Sequence, residues 1–348
     1  MTVRVGIVGV GFIGKTHADI YLKNSKAKLV AFTDTDPKRL KGDWAGGGNL
    51  GDAKDKSFDV KSIKAHNSPD DLFNDPNIDV VDLCVPTHHH VDLAVKALAA
   101  GKHVLCEKPL SVDLDQAKQA VAAAKKAKGK FMVAQCMRFW PEWSWLKEAV
   151  SSGKYGKVKS ASFRRFASVP TYSLNSWILD PKNSGSALFD LHIHDTDFVR
   201  YVFGEPEAVF SAGSRGKTHP DAIDHVNTSY LYPDKNLLVC AEGGWNADTS
   251  FGFVMRYTVV FEKATADFDL GRAGKTLLLS MPGEKDAQVI PVKNATGWAE
   301  QIDYFLGCIE EGQAPKVTTP EDACRSVQLV HAEQQSVLTR EVVKFKPE

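Results

Sequence analysis

The chain has 348 residues, and its 43 lysines and arginines balance its 43 aspartates and glutamates. This length indicates two domains, and the neutral balance provides no basic surplus for holding nucleic acid or an anionic membrane. A glycine-interrupted strand at the start, the lack of a bilayer-spanning apolar run and six scattered cysteines without a C-x-x-C pair predict a cytoplasmic protein with reduced thiols.

A β-branched strand followed by closely spaced glycines opens the chain. The run from Val3 to Val8 has the composition of a buried strand. Three glycines follow it with the spacing G-x-G-x-x-G: Gly9, Gly11 and Gly14. They are expected to give, in that order, a tight turn, close approach to a pyrophosphate and close packing of the next helix. That helix begins near Ile13, so Phe12, Ile13 and the N-terminal N–H groups would meet the phosphates of a dinucleotide.

The acid that ends the second strand indicates which dinucleotide is bound. The strand Lys28–Thr33 ends at Asp34, twenty residues after Gly14. A carboxylate at this distance can accept both ribose hydroxyls and would repel an adenosine 2′-phosphate, which favours NAD over NADP. The nearby Arg39 keeps NADP open. The polar, glycine-rich stretch 41–59 that follows is either a mobile loop or a flap near the cofactor.

Strands then alternate with helices for the rest of the first part of the chain. Ser68 is expected to cap a helix, and Ser111 a second, longer one. Further strands are predicted at Val80–Val85, His103–Cys106 and Phe131–Ala134. This alternation predicts βαβ units and a parallel, doubly wound sheet, so the fold class is α/β and residues 1–135 form a dinucleotide-binding Rossmann domain.

After residue 135, strands follow one another with few helices between them. The predicted strands are 158–167, 208–214, 226–232, 237–243, 257–262, 276–280 and 288–292. Helices are predicted at 141–152, at 296–311 and after Thr319. Residues 136–348 are therefore expected to form an α+β substrate domain with a large, open, mainly antiparallel sheet. The open face of that sheet is a predicted subunit interface of a homodimer or homotetramer.

Three motifs in this order resemble those of the Gfo/Idh/MocA oxidoreductases, the glucose–fructose oxidoreductase and inositol dehydrogenase family. They are Gly9-x-Gly11-x-x-Gly14, Glu107-Lys108-Pro109 and Asp190-Leu-His-Ile-His194. The first motif is shared by many folds, whereas the second and third are specific at these positions. The likeness covers essentially the whole chain, and it implies an NAD(P)-dependent dehydrogenase that acts on CH–OH groups.

Two strand-end turns are expected to face the nicotinamide, because ligands of a doubly wound sheet bind beyond the carboxyl ends of the strands. One turn supplies Glu107 and Lys108, and the other supplies Pro86, Thr87 and His90. A lysine held beside the substrate can hydrogen-bond the reacting oxygen and stabilise developing alkoxide charge. The alternative for Lys108 is a solvated surface charge.

Asp190 and His194 are four residues apart in the segment 188–203, which is predicted to be mostly helical, so both side chains would share one face. Histidine titrates near neutral pH and so suits the removal of a hydroxyl proton. Asp190 could orient the pair, favour the imidazolium and bind a substrate hydroxyl. The alternative is a buried, satisfied histidine with an N-terminal acid.

Residues around these motifs each leave two interpretations open. Asp195 and Asp197 are expected to be either solvated or structural. His192 stands where many relatives have a glycine, and it either decorates the substrate site or packs. Arg138 matches a family arginine that often supports the substrate site, and the alternative is a salt bridge between domains.

The loop 168–177 carries side chains suited to covering a polyol: Tyr172, Asn175 and Trp177. Arg164 and Arg165 are adjacent in a strand and must point to opposite faces, so at most one can reach a ligand. The consecutive histidines 88–90 cannot all reach one ion from a short turn, and hydride transfer to NAD needs no metal when a lysine polarises the oxygen. No metal is therefore predicted.

These observations predict an NAD-dependent oxidoreductase that oxidises a secondary hydroxyl of a sugar, cyclitol or related polyol. Lys108, Asp190 and His194 are the predicted catalytic residues, and Arg138 and Trp177 are expected to contact substrate as well. One alternative is a glycosidase of similar fold that keeps NAD bound and oxidises a sugar carbon transiently. Another is a non-catalytic sensor that binds dinucleotide and a partner protein. The identity of the sugar is not predictable, because loops form that site.

Overall fold

The computed structural model describes residues 2–44, 60–171 and 173–347. Most of the glycine-rich stretch 41–59, and Tyr172 of the predicted substrate loop, lie outside the described residues. The chain divides into two compact units. The first comprises Met1–Cys136, Tyr172–Trp177 and Trp298–Cys324, and the second comprises Met137–Thr171, Ile178–Gly297 and Arg325–Glu348.

The first unit is built on a six-stranded parallel sheet. Its strands are β1 (Val3–Val8), β2 (Ala27–Thr33), β3 (Lys64–Ala65), β4 (Val80–Leu83), β5 (His103–Glu107) and β6 (Phe131–Ala134). They lie in the order β3-β2-β1-β4-β5-β6, and every neighbouring pair is parallel. The sequence prediction of a doubly wound sheet is confirmed. The strand order reverses between β1 and β4, and such a sheet binds its ligand beyond the carboxyl ends of the strands at this point.

In the described part of this unit, five α-helices lie between the strands. They are α1 (Phe12–Lys23), α2 (Pro37–Leu40), α3 (Pro69–Phe73), α4 (His90–Ala99) and α5 (Leu114–Lys126). Ser68 caps α3 as predicted, because its hydroxyl accepts the Asp71 N–H. The predicted cap of α5 is wrong by two residues. The carboxylate of Asp113 accepts the Gln116 N–H at 2.8 Å, while the Ser111 hydroxyl accepts the N–H of Asp113.

The second unit is built on a nine-stranded mixed sheet. Its strands are β7 (Val158–Ser168), β8 (Ala208–Arg215), β9 (Ile223–Leu231), β10 (Leu238–Ala247), β11 (Phe253–Phe261), β12 (Thr265–Asp269), β13 (Leu277–Ser280), β14 (Gln288–Val289) and β15 (Val343–Lys344). The order is β14-β13-β12-β11-β7-β10-β9-β8-β15, antiparallel throughout except for the β7–β10 pair. The predicted, mainly antiparallel sheet is confirmed, although β12 and β15 were not anticipated.

Four of the remaining helices follow the predicted positions, and the short α7 was not predicted. They are α6 (Pro141–Ser151), α7 (Pro181–Ser184), α8 (Ile193–Phe203), α9 (Gly297–Glu310) and α10 (Pro320–Thr339). Thr319 caps α10 as expected, since its hydroxyl accepts the Asp322 N–H at 3.0 Å. A single π turn, Leu188–His192, precedes α8 and carries the Asp190 motif. No helix in the described residues is long and apolar enough to cross a membrane.

One face of the nine-stranded sheet carries the core of the second unit. Trp143 of α6 is fully buried and meets four aromatic rings at centroid distances of 4.7–6.2 Å: Phe163, Phe198, Tyr257 and Phe268. Along β7 the alternate residues Ala161, Phe163 and Arg165 are buried, while the residues between them are more exposed. Among the described residues of the second unit, this period-two pattern leaves the opposite face of the sheet more exposed, and we call it the uncovered face.

Candidate functional site

The glycine turn after β1 has the shape that a dinucleotide requires. Gly9 has a φ of +87°, and a Cβ there would lie 2.5 Å from the carbonyl oxygen of Cys84. A Cβ on Gly14 would lie 2.0 Å from the carbonyl of Gly9, so any side chain there would push α1 off the strand. Above Gly11, by contrast, the nearest atom to a built Cβ is a terminal nitrogen of Arg39 at 3.7 Å. The turn fits NAD, because its second glycine leaves the backbone approachable.

The carboxylate of Asp34 organises the adjoining end of β2. One oxygen accepts the N–H of Val10 and the other accepts the N–H of Asp36, each at 2.8 Å. A guanidinium nitrogen of Arg39 lies 3.4 Å from the first oxygen. Asp34 thus bonds directly to the glycine turn, and Arg39 lies over it. The structure brings these predicted cofactor residues together, while their choice between NAD and NADP stays a prediction.

Lys15 is a charged residue beside this turn that the sequence reasoning missed. It is only 1% exposed on the first turn of α1. Burial and the positive charge of Arg39 lower the pKa of Lys15. The sequence did offer a signal for Lys15, because it is a cation directly after the third glycine, and the N-terminus of this helix is the expected phosphate site.

The two predicted strand-end turns are joined through His90. Its Nδ1 lies 2.7 Å from the carbonyl oxygen of Pro109, and its Nε2 lies 2.9 Å from that of Val85. Burial lowers the pKa of His90 to about 4, in spite of these two carbonyls. The ring lies between the two carbonyl oxygens and so joins the turn after β4, which includes Pro86 and the buried Thr87, to the turn after β5.

The other two histidines of this run differ from His90. His88 and His89 are exposed, and their rings lie 4.0 Å apart. The group of potential metal ligands that the described residues do contain lies elsewhere: His17, Asp82 and Cys84.

Lys108 follows directly after β5, and it is half-buried there. The Glu107 carboxylate accepts the backbone N–H of Lys108 at 3.1 Å. Burial raises the pKa of Glu107, while His17 and Lys108 act in the opposite direction. The peptide bond between Lys108 and Pro109 is cis. The lysine backbone is thus held by a buried acid at the carboxyl edge of the sheet.

In the second unit, Asp190 and His194 are accessible residues within a buried segment. Both are half-buried, whereas His192 and all residues from Asp195 to Arg200 are buried. Asp190 lies in the π turn and His194 in the first turn of α8, so the predicted helical segment is confirmed with one widened turn. π turns of this kind frequently occur at functional sites.

The neighbouring acids Asp195 and Asp197 are structural. Asp195 pairs with Arg165 at 2.9 Å, and Asp197 pairs with Arg138 at 2.8 Å, in each case through two guanidinium nitrogens. The hydroxyl of Ser326 also donates to Asp197 at 2.7 Å. As predicted, Arg164 points to the other face, where it meets Glu242 at 3.0 Å.

Two predicted substrate residues have contrasting positions. Arg138 is only 4% exposed, and both it and Asp197 belong to the second unit, so this salt bridge does not join two units. Trp177 is half-buried at the end of the segment 172–177, which belongs to the first unit. In that segment Asn175 is exposed and has a φ of +53°. The contact of either Arg138 or Trp177 with substrate stays a prediction.

His192 packs in the interior of the second unit. Its side chain is fully buried, with Nε2 lying 3.4 Å from a carboxylate oxygen of Glu333 and 3.5 Å from the hydroxyl of Thr228. Gly243 of β10 provides the space, because a Cβ there would lie 2.6 Å from Nδ1 of His192. Of the two interpretations of His192, packing is the one that this position supports.

Comparison with known proteins gives matches over most of the chain. Residues 3–135 match the model of the oxidoreductase family with an NAD-binding Rossmann fold named GFO_IDH_MocA, and residues 143–267 match the GFO/IDH/MocA C-terminal domain. Myo-inositol 2-dehydrogenase of Thermotoga maritima is 28% identical, with 99% of this chain and 98% of that protein covered. The scyllo-inositol 2-dehydrogenase (NAD(+)) of Bacillus subtilis is 25% identical over 91% of this chain and 89% of its own.

Solved structures share the fold of both units. A probable dehydrogenase from Thermotoga maritima matches with a TM-score of 0.80 at 25% identity, covering 98% of each chain. A levoglucosan dehydrogenase in complex with NADH and levoglucosan matches with a TM-score of 0.82 at 20% identity, covering 99% of each chain. At that identity the second likeness concerns the fold alone.

Proposed function

The chain belongs to the Gfo/Idh/MocA family and is an NAD(P)-dependent dehydrogenase of CH–OH groups, and from this premise we propose that it oxidises a secondary hydroxyl of a cyclitol or related sugar polyol. The cyclitol assignment is supported by two relatives that are named as inositol 2-dehydrogenases and match this chain over nearly its whole length. Related polyols remain within the proposal, because the residues that choose between them lie on loops.

Three side chains of this protein carry the proposed reaction. When bound, the dinucleotide supplies a two-electron acceptor for the hydrogen on the carbinol carbon. The Lys108 ammonium donates to the substrate hydroxyl oxygen and stabilises the negative charge that develops there. His194 accepts the hydroxyl proton, and Asp190 orients that histidine and favours its protonated form.

The observation that carries this proposal is the contrast between accessible and buried groups on the motif segments. Lys108, Asp190 and His194 are half-buried, while the charged residues beside them, Glu107, Asp195 and Asp197, are buried and paired. Fully buried charges of this kind serve the fold, whereas the three half-buried groups keep part of their surface within reach of a ligand. The proposal also includes NAD as the preferred cofactor and contact of Arg138 and Trp177 with substrate.

The two alternative functions predict different products. An NAD-retaining glycosidase would cleave a glycoside without accumulating NADH, and a sensor would bind dinucleotide without turnover. Neither of these functions depends on net oxidation of a free polyol by Lys108, Asp190 and His194. We favour the dehydrogenase because relatives that match nearly the full chain are named as dehydrogenases.

A screen for net NADH formation distinguishes these functions. The purified protein is incubated with NAD and a panel of cyclitols, aldoses, sugar acids and glycosides, while absorbance of NADH and release of aglycone are both followed. The proposal predicts net NADH formation with at least one free polyol. It also predicts that Lys108→Ala lowers that turnover by about 10²- to 10³-fold, the usual cost of losing a transition-state donor, while NAD still binds. Aglycone release without net NADH would establish the glycosidase instead.

We further propose that the protein is a cytoplasmic homodimer or homotetramer formed through the nine-stranded sheet. The cytoplasmic assignment is supported by the cysteines, none of which forms a disulfide. The assembly is supported by large apolar side chains on the uncovered face: Phe210, Leu231 and Leu238 are 39%, 40% and 60% exposed. The register pairs Ala208 with Leu231, so Phe210, two residues on, points to the same side as Leu231.

A further inference from the structure

A buried cluster of ionisable side chains lies directly behind the Lys108 turn, and the reaction proposed above does not use it. We name it the His17 cluster, and its members are His17, Tyr21, Asp82, Cys84 and Glu107. Each is at most 7% exposed, and all belong to the first unit. Buried charges of this density persist only where they are paired and hydrogen-bonded.

Asp82 is the hydrogen-bond acceptor at the centre of the His17 cluster. One carboxylate oxygen lies 2.8 Å from Nδ1 of His17 and also accepts the hydroxyl of Tyr21 at 2.9 Å. The thiol of Cys84 donates to the other oxygen at 3.4 Å. Asp82 lies on β4, the strand next to the glycine turn, and His17 lies on α1, which that turn begins.

The opposite edge of the imidazole faces Glu107. Nε2 of His17 lies 3.4 Å from one oxygen of the Glu107 carboxylate, and the other oxygen of Glu107 accepts the N–H of Lys108. Burial lowers the pKa of His17, but Asp82 and then Glu107 raise it by more, so its pKa lies above the ordinary value of about 6.5. His17 thus lies between two buried carboxylates, and both of them raise its pKa.

The contact between His17 and Asp82 is that of a hydrogen bond rather than of two metal ligands. Two ligand atoms at about 2 Å from a tetrahedral zinc ion lie about 3.3 Å apart. The 2.8 Å separation of His17 and Asp82 is shorter than this, and it is the usual length of a charge-assisted hydrogen bond.

We propose that His17 is a positioning residue, whose imidazolium keeps the Glu107 carboxylate ionised and fixed and thereby holds Lys108 in place. This inference rests on the role proposed for Lys108. Without the imidazolium, Asp82 and Glu107 lose the cationic neighbour that they share in the interior, which favours uptake of a proton by one of the carboxylates. A neutral Glu107 attracts Lys108 less and accepts its backbone N–H less strongly, so the lysine side chain becomes less restrained and more accessible to an amine reagent.

The test measures the chemical reactivity of Lys108 in the protein without substrate or cofactor. Amine acetylation by a small anhydride is followed by peptide mass spectrometry between pH 7 and pH 9, with the exposed Lys235 as the internal reference. We expect His17→Gln and Glu107→Gln each to make Lys108 react several-fold faster relative to Lys235. The double variant should react no faster than Glu107→Gln alone, because His17 acts through Glu107.

His66→Gln is the matched control. His66 is also buried in the first unit, and its Nε2 lies 3.2 Å from a carboxylate oxygen of Asp75. The His66→Gln substitution removes a comparable pair of a histidine and a buried carboxylate, and we expect it to leave the reactivity of Lys108 unchanged. With an active polyol in hand, His17→Gln should lower kcat by about 10- to 100-fold with little change in KM, as expected for a misplaced catalytic group.

Unchanged Lys108 reactivity in folded His17→Gln, or additive effects in the double variant, would overturn the proposal. If His17→Gln does not fold, nitrogen NMR of wild-type protein with labelled histidine gives a second test. The proposal predicts that both ring nitrogens of His17 carry protons at pH 7. A neutral His17 ring would contradict the proposal. Full turnover by Lys108→Ala would instead refute the proposed function and leave the labelling result standing.

Discussion

Asp34 shows how one carboxylate serves both the fold and the cofactor. It accepts two backbone N–H groups: the bond from Val10 fixes the end of β2 against the glycine turn, and the bond from Asp36 closes the turn that follows β2. Each carboxylate oxygen can accept more than one hydrogen bond, so the same group can still receive ribose hydroxyls.

Asp34→Ser should therefore narrow the preference for NAD over NADP. Wild-type protein is expected to bind NADH better than NADPH by about 1–3 kcal/mol, the scale of a charged hydrogen bond. Fluorescence titration with both reduced dinucleotides measures the difference. Asp36→Ser is the control, because it removes a negative charge two residues away while retaining a group that can cap α2. Equal affinity of the wild type for NADH and NADPH would show that Asp34 does not select between the two dinucleotides.

His192 and Gly243 form a complementary pair in the interior. Gly243→Ala places a methyl group 2.6 Å from Nδ1 of His192, and such overpacking should cost about 1–3 kcal/mol of the free energy of unfolding. The loss should be much smaller in the His192→Ala background, because the colliding ring is gone. Gly307→Ala in α9 is the control, since nothing lies within 4 Å of its Cβ, and it should stabilise by up to about 1 kcal/mol. Equal costs of Gly243→Ala in both backgrounds would rule out the collision.

At the scale of elements, helix α8 is fastened by buried ion pairs on two sides. Asp195 is paired with Arg165 of β7, and Asp197 is paired with Arg138 ahead of α6. Neighbouring residues on a helix point in different directions, so the two arginines fix both the position and the rotation of α8. The orientation of His194, in the first turn of the same helix, depends on them.

Breaking the Arg138 pair should destabilise the protein strongly. Arg138→Gln leaves Asp197 buried without its cation, which typically costs about 3–5 kcal/mol. Urea unfolding of the variant measures the loss. Arg4→Gln is the control, because Arg4 makes a similar two-nitrogen contact with Asp79 but the two side chains are 39% and 34% exposed, so a much smaller loss is expected. A rise in KM without loss of stability would show that Arg138 mainly contacts substrate.

Local patterns in the sequence were sufficient for most elements. The strands and helices of both sheets were predictable, because alternation, caps and glycines act over a few residues. Ser111 misled for the same reason, since two capping residues, Ser111 and Asp113, stand close together and only the geometry chooses between them. The strand β12 was not predicted because Thr265–Asp269 is short and only two of its residues are buried, so its alternating pattern is weak.

The long-range pairs of the site could not be read from local patterns. Asp195 and Asp197 are structural because Arg165 and Arg138, 30 and 59 positions away, meet them in the folded unit. His17 lies next to the recognised glycine motif, yet its partners Asp82 and Glu107 lie on two other strands. The sequence predicted the residues of the motifs, and the fold determines which of them are paired and which stay accessible.

At the scale of the whole molecule, assembly through the nine-stranded sheet is the expectation to test. Light scattering and sedimentation at micromolar concentration should give a dimer or tetramer of the 38.2 kDa chain. Leu238→Arg places a charge on the uncovered face and should shift the protein toward the monomer. Leu22→Arg is the control, since Leu22 is 51% exposed on α1 of the first unit and should leave assembly unchanged. A monomeric wild type would remove the proposed interface.

The central claim is that His194 is the proton acceptor in polyol oxidation while Lys108 stabilises the charge on oxygen. The most direct measurement is the pH dependence of turnover for wild type, His194→Ala and Asp190→Asn on an active polyol. The wild type should lose activity below about pH 6–7 as histidine becomes protonated. His194→Ala should lower turnover by about 10²- to 10⁴-fold and abolish that acid limb, and Asp190→Asn should shift the limb without unfolding the protein. Near-normal turnover of His194→Ala with an unchanged acid limb would contradict the account and leave Lys108 as the base.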